Sequence, residues 1–187
     1  MAIRVYIDQG HNPVSPNTGA ERNGLTDQEI TYEVGRLLYE KPRANPNYEA
    51  RLSRPTPTTQ LGTSNAGSLR ARVQGAEDFG ADLFLSIHTN ASVNSWASGS
   101  EALVYRVDST AGRIGESLLR SMTRLTGLRN RGVIARPGLY VLRKTSMPAV
   151  LMEIGFISNP GDAALMRDNP DLFAEGLYRG LNAYYGF

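Results

Sequence analysis

The sequence holds two histidines, His11 and His88, and each follows an apolar, strand-like run. The first lies in Ile7-Asp8-Gln9-Gly10-His11-Asn12 and the second in Ser86-Ile87-His88-Thr89-Asn90. Small and polar residues come next in both, so each imidazole can stand at a strand end with a ring nitrogen free. Two imidazoles and a carboxylate around an open position form a common catalytic zinc arrangement. A water held there gives up a proton readily, and a separate carboxylate can accept it. Glu153 is the candidate for that second role. It interrupts the apolar run Val150-Leu151-Met152-Glu153-Ile154-Gly155-Phe156, where a charge is costly to bury unless paired, metal-bound or catalytic. The plain alternatives are a hydrogen-bonded loop role for each histidine and an arginine ion pair for Glu153.

The elements that must position these residues can be read from periodicity. Ile3, Val5 and Ile7 alternate through residues 2–7, predicting a first strand that leads to His11. Thr26 followed by Glu29 is a capping-box pattern, and Ile30, Val34, Leu37 and Leu38 carry the helix to about Glu40. Pro42 and Pro46 mark residues 41–47 as a connection, before a short strand over Tyr48–Ser53. Leu69, Val73, Ala76 and Phe79 predict a second helix stopped by Gly80. Leu83–Ile87 reads as a strand buried on both faces, with His88 just beyond it. A polar loop from Asn90 to Ser100 carries the single tryptophan, Trp96.

Glu101–Val107 alternates as a strand, and Ile114, Leu118, Met122 and Leu125 give a third helix closing near Gly127. Val133-Ile134 and Leu139–Leu142 read as short strands around a Pro137-Gly138 turn. The Ala149–Phe156 strand, a short helical piece and a final helix bearing Phe173, Leu177, Leu181 and Tyr184 complete the chain. This alternation predicts one α/β domain over residues 1–187, with helices on both faces of a twisted, mostly parallel or mixed sheet of about six strands. In such sheets functional residues gather beyond the carboxyl ends of the strands, which would bring His11, His88 and Glu153 together.

Composition narrows the function. The 187 residues suit a single domain, and the net charge of +2 leaves no basic stripe for nucleic acid. Absence of cysteine excludes disulfides, thiolate metal sites and a cysteine nucleophile. No apolar run approaches the ~20 residues of a membrane span. The start of the chain enters a strand pattern at once, with Arg4 interrupting it, so no export signal is expected in it. No separate wall-binding or other second module is visible either.

Four ordered blocks carry a family resemblance: Ile7-Asp8-Gln9-Gly10-His11, Gly24-Leu25-Thr26-Asp27-Gln28-Glu29, Ser86-Ile87-His88-Thr89-Asn90-Ala91, and Val150 through Pro160. Arg131-Gly132 and Leu139-Tyr140-Val141-Leu142 agree with them. On these residues the chain resembles the zinc-dependent N-acetylmuramoyl-L-alanine amidases, the amidase-3 family of peptidoglycan hydrolases. The resemblance implies one Zn2+ held by His11, His88 and an acidic residue between them, with Glu153 as acid/base. The implied reaction cleaves the amide between the lactyl group of N-acetylmuramic acid and L-alanine of the stem peptide. The family's third ligand is a glutamate, whereas the matching position here is Asp27. Asp27 is taken as the ligand, with Glu29 as its rival; an acidic residue in a first helical turn can also serve the helix dipole alone.

Asp8, Asn90, Ser86 and Glu101 are candidates to orient the histidines, with a plain turn or strand-edge role as the alternative, and Arg131 or Arg143 could meet a stem-peptide carboxylate. The alternatives are another zinc metallopeptidase or amidohydrolase, or a non-catalytic wall-binding relative with an altered site. Action on the cell wall without an export signal in this chain would mean lysis-type release or a place within a longer exported protein.

Overall fold

A computed structural model describes residues 2–187. Its elements in chain order are β1 (Ile3–Gln9), β2 (Glu21–Arg22), β3 (Leu25–Thr26), α1 (Asp27–Arg43), β4 (Tyr48–Leu52), α2 (Asn65–Phe79) and β5 (Leu83–Asn90). There follow β6 (Ser100–Val104), α3 (Thr110–Thr126), β7 (Asn130–Ala135), α4 (Tyr140–Lys144), β8 (Ala149–Phe156), α5 (Pro160–Asp168) and α6 (Pro170–Tyr185). Six strands form one sheet in the order β4-β1-β5-β8-β6-β7, and β2 pairs with β3 in a small separate hairpin. The pairs β4–β1, β1–β5 and β5–β8 are parallel, β8–β6 is antiparallel and β6–β7 is parallel. The carboxyl ends of β1, β5 and β8 therefore share an edge with the amino end of β6.

Side-chain alternation divides the core between the two faces of this sheet. Val5, Ile7, Leu85, Ile87, Val150 and Met152 pack with Val34, Leu118 and Leu177 from α1, α3 and α6. Tyr6, Phe84, Leu103 and Leu151 pack on the other face with Val73, Phe79 and Leu142 from α2 and α4. The same parity places Asp8, Ser86, His88, Glu101 and Glu153 on the α2/α4 face, toward the shared edge. The site is thus a continuation of one core face beyond the helices that cover it.

Several local expectations are revised. Helix α1 runs through Pro42 to Arg43, because a proline in the last turn forfeits one hydrogen bond with no further turn left to disrupt. Thr26 is its N-cap residue, but the hydroxyl donates to Glu29 Oε2 at 2.6 Å instead of capping a backbone amide. Residues 140–144 form helix α4 and not a strand; Val141 and Leu142 bury there, and a run this short does not distinguish the two periods. β5 extends to Asn90, which puts His88 within the strand opposite Glu153 and not after it.

Candidate metal centre

Three side chains from three elements converge at the shared edge. His11 follows the end of β1, Asp27 opens α1, and His88 belongs to β5. His88 Nδ1 lies 3.2 Å from His11 Nε2, and His11 Nε2 lies 3.0 Å from Asp27 Oδ2. The ligand atoms of all three lie within 4.8 Å of one another. Zinc–ligand bonds of about 2.0–2.1 Å at tetrahedral angles put adjacent donors about 3.3 Å apart, close to the two separations that meet at His11 Nε2. The chemistry of the set, two imidazoles and one carboxylate, fits such an ion.

Each donor is fixed by its surroundings. The Asp27 amide donates to the Ala20 carbonyl at 2.9 Å, and the Thr89 amide donates to Asp27 Oδ1 at 3.0 Å. These bonds leave Oδ2 turned toward His11. Glu29, the rival, turns away to the Thr26 hydroxyl on the exposed side of the helix. Burial, reinforced by His11, pushes the His88 imidazole down to about 4 against the pull of Asp27, so at neutral pH it carries no charge. That is the form in which imidazole ligates a metal.

Two glycines make room for this packing. A Cβ on Gly10 would lie 2.5 Å from His88 Cε1, inside the ring's van der Waals envelope. One on Gly19 would overlap the Asp27 side chain and stand 2.8 Å from His11 Cδ2. His11 itself has φ +64, a left-handed backbone conformation rare for residues other than glycine.

Two buried arginines hold that turn. Arg72 Nη1 pairs with Asp8 Oδ1 at 2.6 Å and donates to the Gln9 carbonyl at 2.7 Å, while Nη2 donates to the His11 carbonyl at 2.5 Å. Arg54 Nη1 reaches the His11 carbonyl at 3.3 Å and the Gln28 carbonyl at 3.1 Å. Burial alone would raise the Asp8 carboxyl, but Arg72 and a 2.7 Å hydrogen bond from Ser86 hold it below the usual carboxylate range. The charge of Asp8 therefore secures Arg72, and Arg72 secures the loop that presents His11.

Glu153 faces Glu101 across the β8–β6 pair and His88 across the β8–β5 pair. Its Oε2 is buried with no hydrogen-bond partner, as is His11 Nδ1. Burial, then the charges of Asp27 and Glu101, push the Glu153 carboxyl up to about 8. A desolvated carboxyl that holds its proton near neutrality is suited to proton transfer.

Residues 5–183 match the N-acetylmuramoyl-L-alanine amidase family. The chain belongs to this family. It is 32% identical over 185 residues to the N-acetylmuramoyl-L-alanine amidase LytC of Bacillus subtilis (strain 168), covering 97% of this chain and 35% of that protein. It is 31% identical over 180 residues to the amidase CwlM of Bacillus licheniformis, covering 95% and 65% respectively. The chain thus spans about a third of one curated relative's length and just under two thirds of the other's. The fold superposes on the catalytic domain of CwlV, an N-acetylmuramoyl-L-alanine amidase from Bacillus (Paenibacillus) polymyxa var. colistinus, with a TM-score of 0.86. That match has 28% identity and covers 98% of each chain. Among the described residues no helix is long and apolar enough to cross a membrane.

Within this amidase fold the structure brings His11, Asp27 and His88 together and sets Glu153 on the same face. The residues expected to orient the histidines do other work. Ser86 donates to Asp8, Asp8 pairs with Arg72, Asn90 Oδ1 accepts from the Ala91 amide, and Glu101 pairs with Arg131 at 2.5 Å. None of these four side chains hydrogen-bonds an imidazole. Arg131 is engaged by Glu101 and stacks its guanidinium over Phe156, while Arg143 lies on α4. Arg72 and Arg54 escaped the sequence reading, although Arg72 stands on the apolar stripe of Leu69, Val73 and Ala76. A cation on a buried helix face was the signal for it.

Proposed function

We propose that this domain hydrolyses the amide joining the lactyl group of N-acetylmuramic acid to L-alanine of the peptidoglycan stem peptide. In this reading one zinc ion is held by His11, Asp27 and His88, and Glu153 is the catalytic acid/base. The observation that carries the proposal is the convergence of His11, Asp27 and His88 beside a carboxyl whose Oε2 is buried and unpartnered. When bound, zinc supplies a Lewis acid and lowers the pKa of water it holds.

The remaining chemistry belongs to the chain. Glu153 Oε2 takes the proton of the attacking water and passes it to the departing L-alanine nitrogen. Neutral His88 offers Nδ1 as a donor without charge repulsion from a cation. Asp27 is one methylene shorter than the family's glutamate, and the Ala20 and Thr89 contacts that draw it in support its role as third ligand. Glu101, paired with Arg131, faces Glu153 across the β8–β6 pair and adds to the upward push on its carboxyl.

Such a domain acts on the cell wall, after lysis-type release or as part of a longer exported protein. Digestion of defined muropeptides by wild type and Glu153→Ala, with zinc measured in both, tests the proposal. The expected result is free stem peptide beginning with L-alanine from wild type, none from the variant, and zinc in each. Full activity in Glu153→Ala, or wild-type protein that takes up no zinc, would overturn it.

A further inference from the structure

Arg54 stands two residues beyond the end of β4 and is 2% exposed. Gln9 places its backbone: Gln9 Oε1 accepts from the Arg54 amide at 2.9 Å, and Gln9 Nε2 donates to the Tyr32 carbonyl at 3.3 Å. The Arg54 side chain then spans three segments. Nη1 donates to the His11 carbonyl at 3.3 Å, to the Gln28 carbonyl at 3.1 Å and to the Gly10 carbonyl at 3.5 Å. Nη2 donates to the Pro57 carbonyl at 3.3 Å, and the guanidinium lies over the Tyr32 ring, 5.3 Å from its centre. Arg72 grips the same His11 carbonyl, but among the described residues it bonds to nothing in α1. Thr31 Oγ1 adds one more tie from α1, to the Gly10 carbonyl at 2.8 Å.

The charge of Arg54 is poorly compensated. Every side-chain hydrogen bond it makes ends on a backbone carbonyl, and its Nε is buried with no partner. Arg72, by contrast, has the Asp8 carboxylate. Burial, then Arg72, push the Arg54 guanidinium down to about 10 against Asp8 and Tyr32, so at neutral pH it is still a cation. It also faces the first turn of α1, where the helix dipole presents its positive end. A buried charge on these terms weakens a fold, and packing alone would be better served by a neutral side chain. What a neutral side chain lacks is a rigid fork of donors. One nitrogen of this fork holds the carbonyl of His11 and the carbonyl of Gln28, the neighbour of Asp27. The segments that carry two of the three proposed ligands are thus referred to a single atom.

We propose that Arg54 is a positioning residue for the metal site, fixing the spacing between His11 and Asp27 and thereby setting the affinity for the cation. The identity of His11 and Asp27 as ligands rests on the reading above; the bridge between their segments rests on the hydrogen bonds of Arg54.

Zinc affinity is measured by competition with a chelator, and the fold of each metal-free protein by urea denaturation. Arg54→Lys keeps the charge and most of the volume but loses the fork, and zinc should bind it about 10–100-fold more weakly. Co2+ serves as a spectroscopic probe of ligand geometry. At saturation the visible absorption of Arg54→Lys should differ from that of wild type in position or intensity, which a residue that only supports the fold would not cause. An open groove lined by Gln28, Glu29, Tyr32 and Pro57 reaches Arg54. Methylguanidine added to Arg54→Ala should therefore restore part of the lost affinity, and methylamine at the same concentration should not. If Arg54→Ala does not fold, Arg54→Lys carries the test alone. Zinc affinity within about twofold of wild type in Arg54→Lys would overturn the proposal. So would an unchanged Co2+ spectrum, or weaker binding fully accounted for by the unfolded fraction. Wild-type protein that binds neither Zn2+ nor Co2+ would remove the metal reading itself and this proposal with it, a result distinct from any difference between the variants.

Discussion

Replacing Glu153 with glutamine should abolish hydrolysis and at the same time stabilise the metal-free fold. The carboxyl is raised from 4.5 to about 8 by burial and by Asp27 and Glu101, so the folded chain keeps a proton that the unfolded chain has released. Stability must then fall as pH rises from about 4.5 to about 8, by about 1.4 kcal/mol per pH unit at most. Below the lower value both states are protonated, and above the upper value both are ionised, so the loss stops growing there. At pH 7 the accumulated cost is roughly 3 kcal/mol, a large part of the 5–15 kcal/mol that stabilises a typical domain. Glutamine has nearly the same shape and no charge, and Oε2 has no partner to lose, so Glu153→Gln should recover most of this cost.

Urea denaturation of both proteins after chelation, at pH 5, 6, 7 and 8, measures the difference. The two stabilities should nearly meet at pH 5 and separate toward pH 8. Adding zinc to wild type should narrow the gap, because a nearby cation favours the ionised carboxylate. Equal stabilities at pH 7 and 8, or a gap independent of pH, would refute the account of Glu153 as a desolvated acid.

Asp27→Ala should lose zinc on purification and Glu29→Ala should retain it, as measured by elemental analysis; the reverse pattern would make Glu29 the ligand. Arg72→Met leaves Asp8 in the interior with the Ser86 hydrogen bond but no counter-charge and should cost about 3–5 kcal/mol in urea denaturation. The depressed Asp8 carboxyl contributes fully above the ordinary carboxylate range and loses that contribution as pH falls through its folded value, so the difference from wild type should narrow below about pH 4. Gly19→Ala forces a methyl group against Asp27 and His11, an overpacking that typically costs about 1–3 kcal/mol, and should weaken zinc affinity in competition with a chelator.

Much of this architecture was legible because alternation in a strand fixes facing as well as burial. Two-residue spacing in Ile3, Val5 and Ile7 gave the first strand, but Leu83–Ile87 read as a strand buried on both faces, so the position of His88 inside β5 and facing Glu153 came only with the pairing. Glu153 stood out for the opposite reason, a charge where the pattern calls for an apolar residue. Arg72 and Arg54 were harder to see. Their work is done on backbone carbonyls of a loop, and the sequence does not show where a loop's carbonyls point. Helix α4 was misread since five residues give neither a 2-residue nor a 3.6-residue period room to assert itself. Asp27 was preferred to Glu29 in the sequence from its matching position, and the Thr26–Glu29 contact agrees with that preference; the Ala20 and Thr89 contacts of Asp27 are made across the fold and local patterning does not record them.

Strand β8 lies between β5 and β6 in the sheet, yet it is the last strand in the chain. Without β8 the sheet divides into β4-β1-β5 and β6-β7, each presenting an unpaired edge to the same late segment. His11, Asp27 and His88 all precede β6 in the chain, whereas Glu153, the proposed acid/base, belongs to the strand that joins the halves. A nascent chain could thus gather metal ligands well before it could cut an amide. In the proposed reading the seam strand makes completion of the sheet and assembly of the reactive site one event.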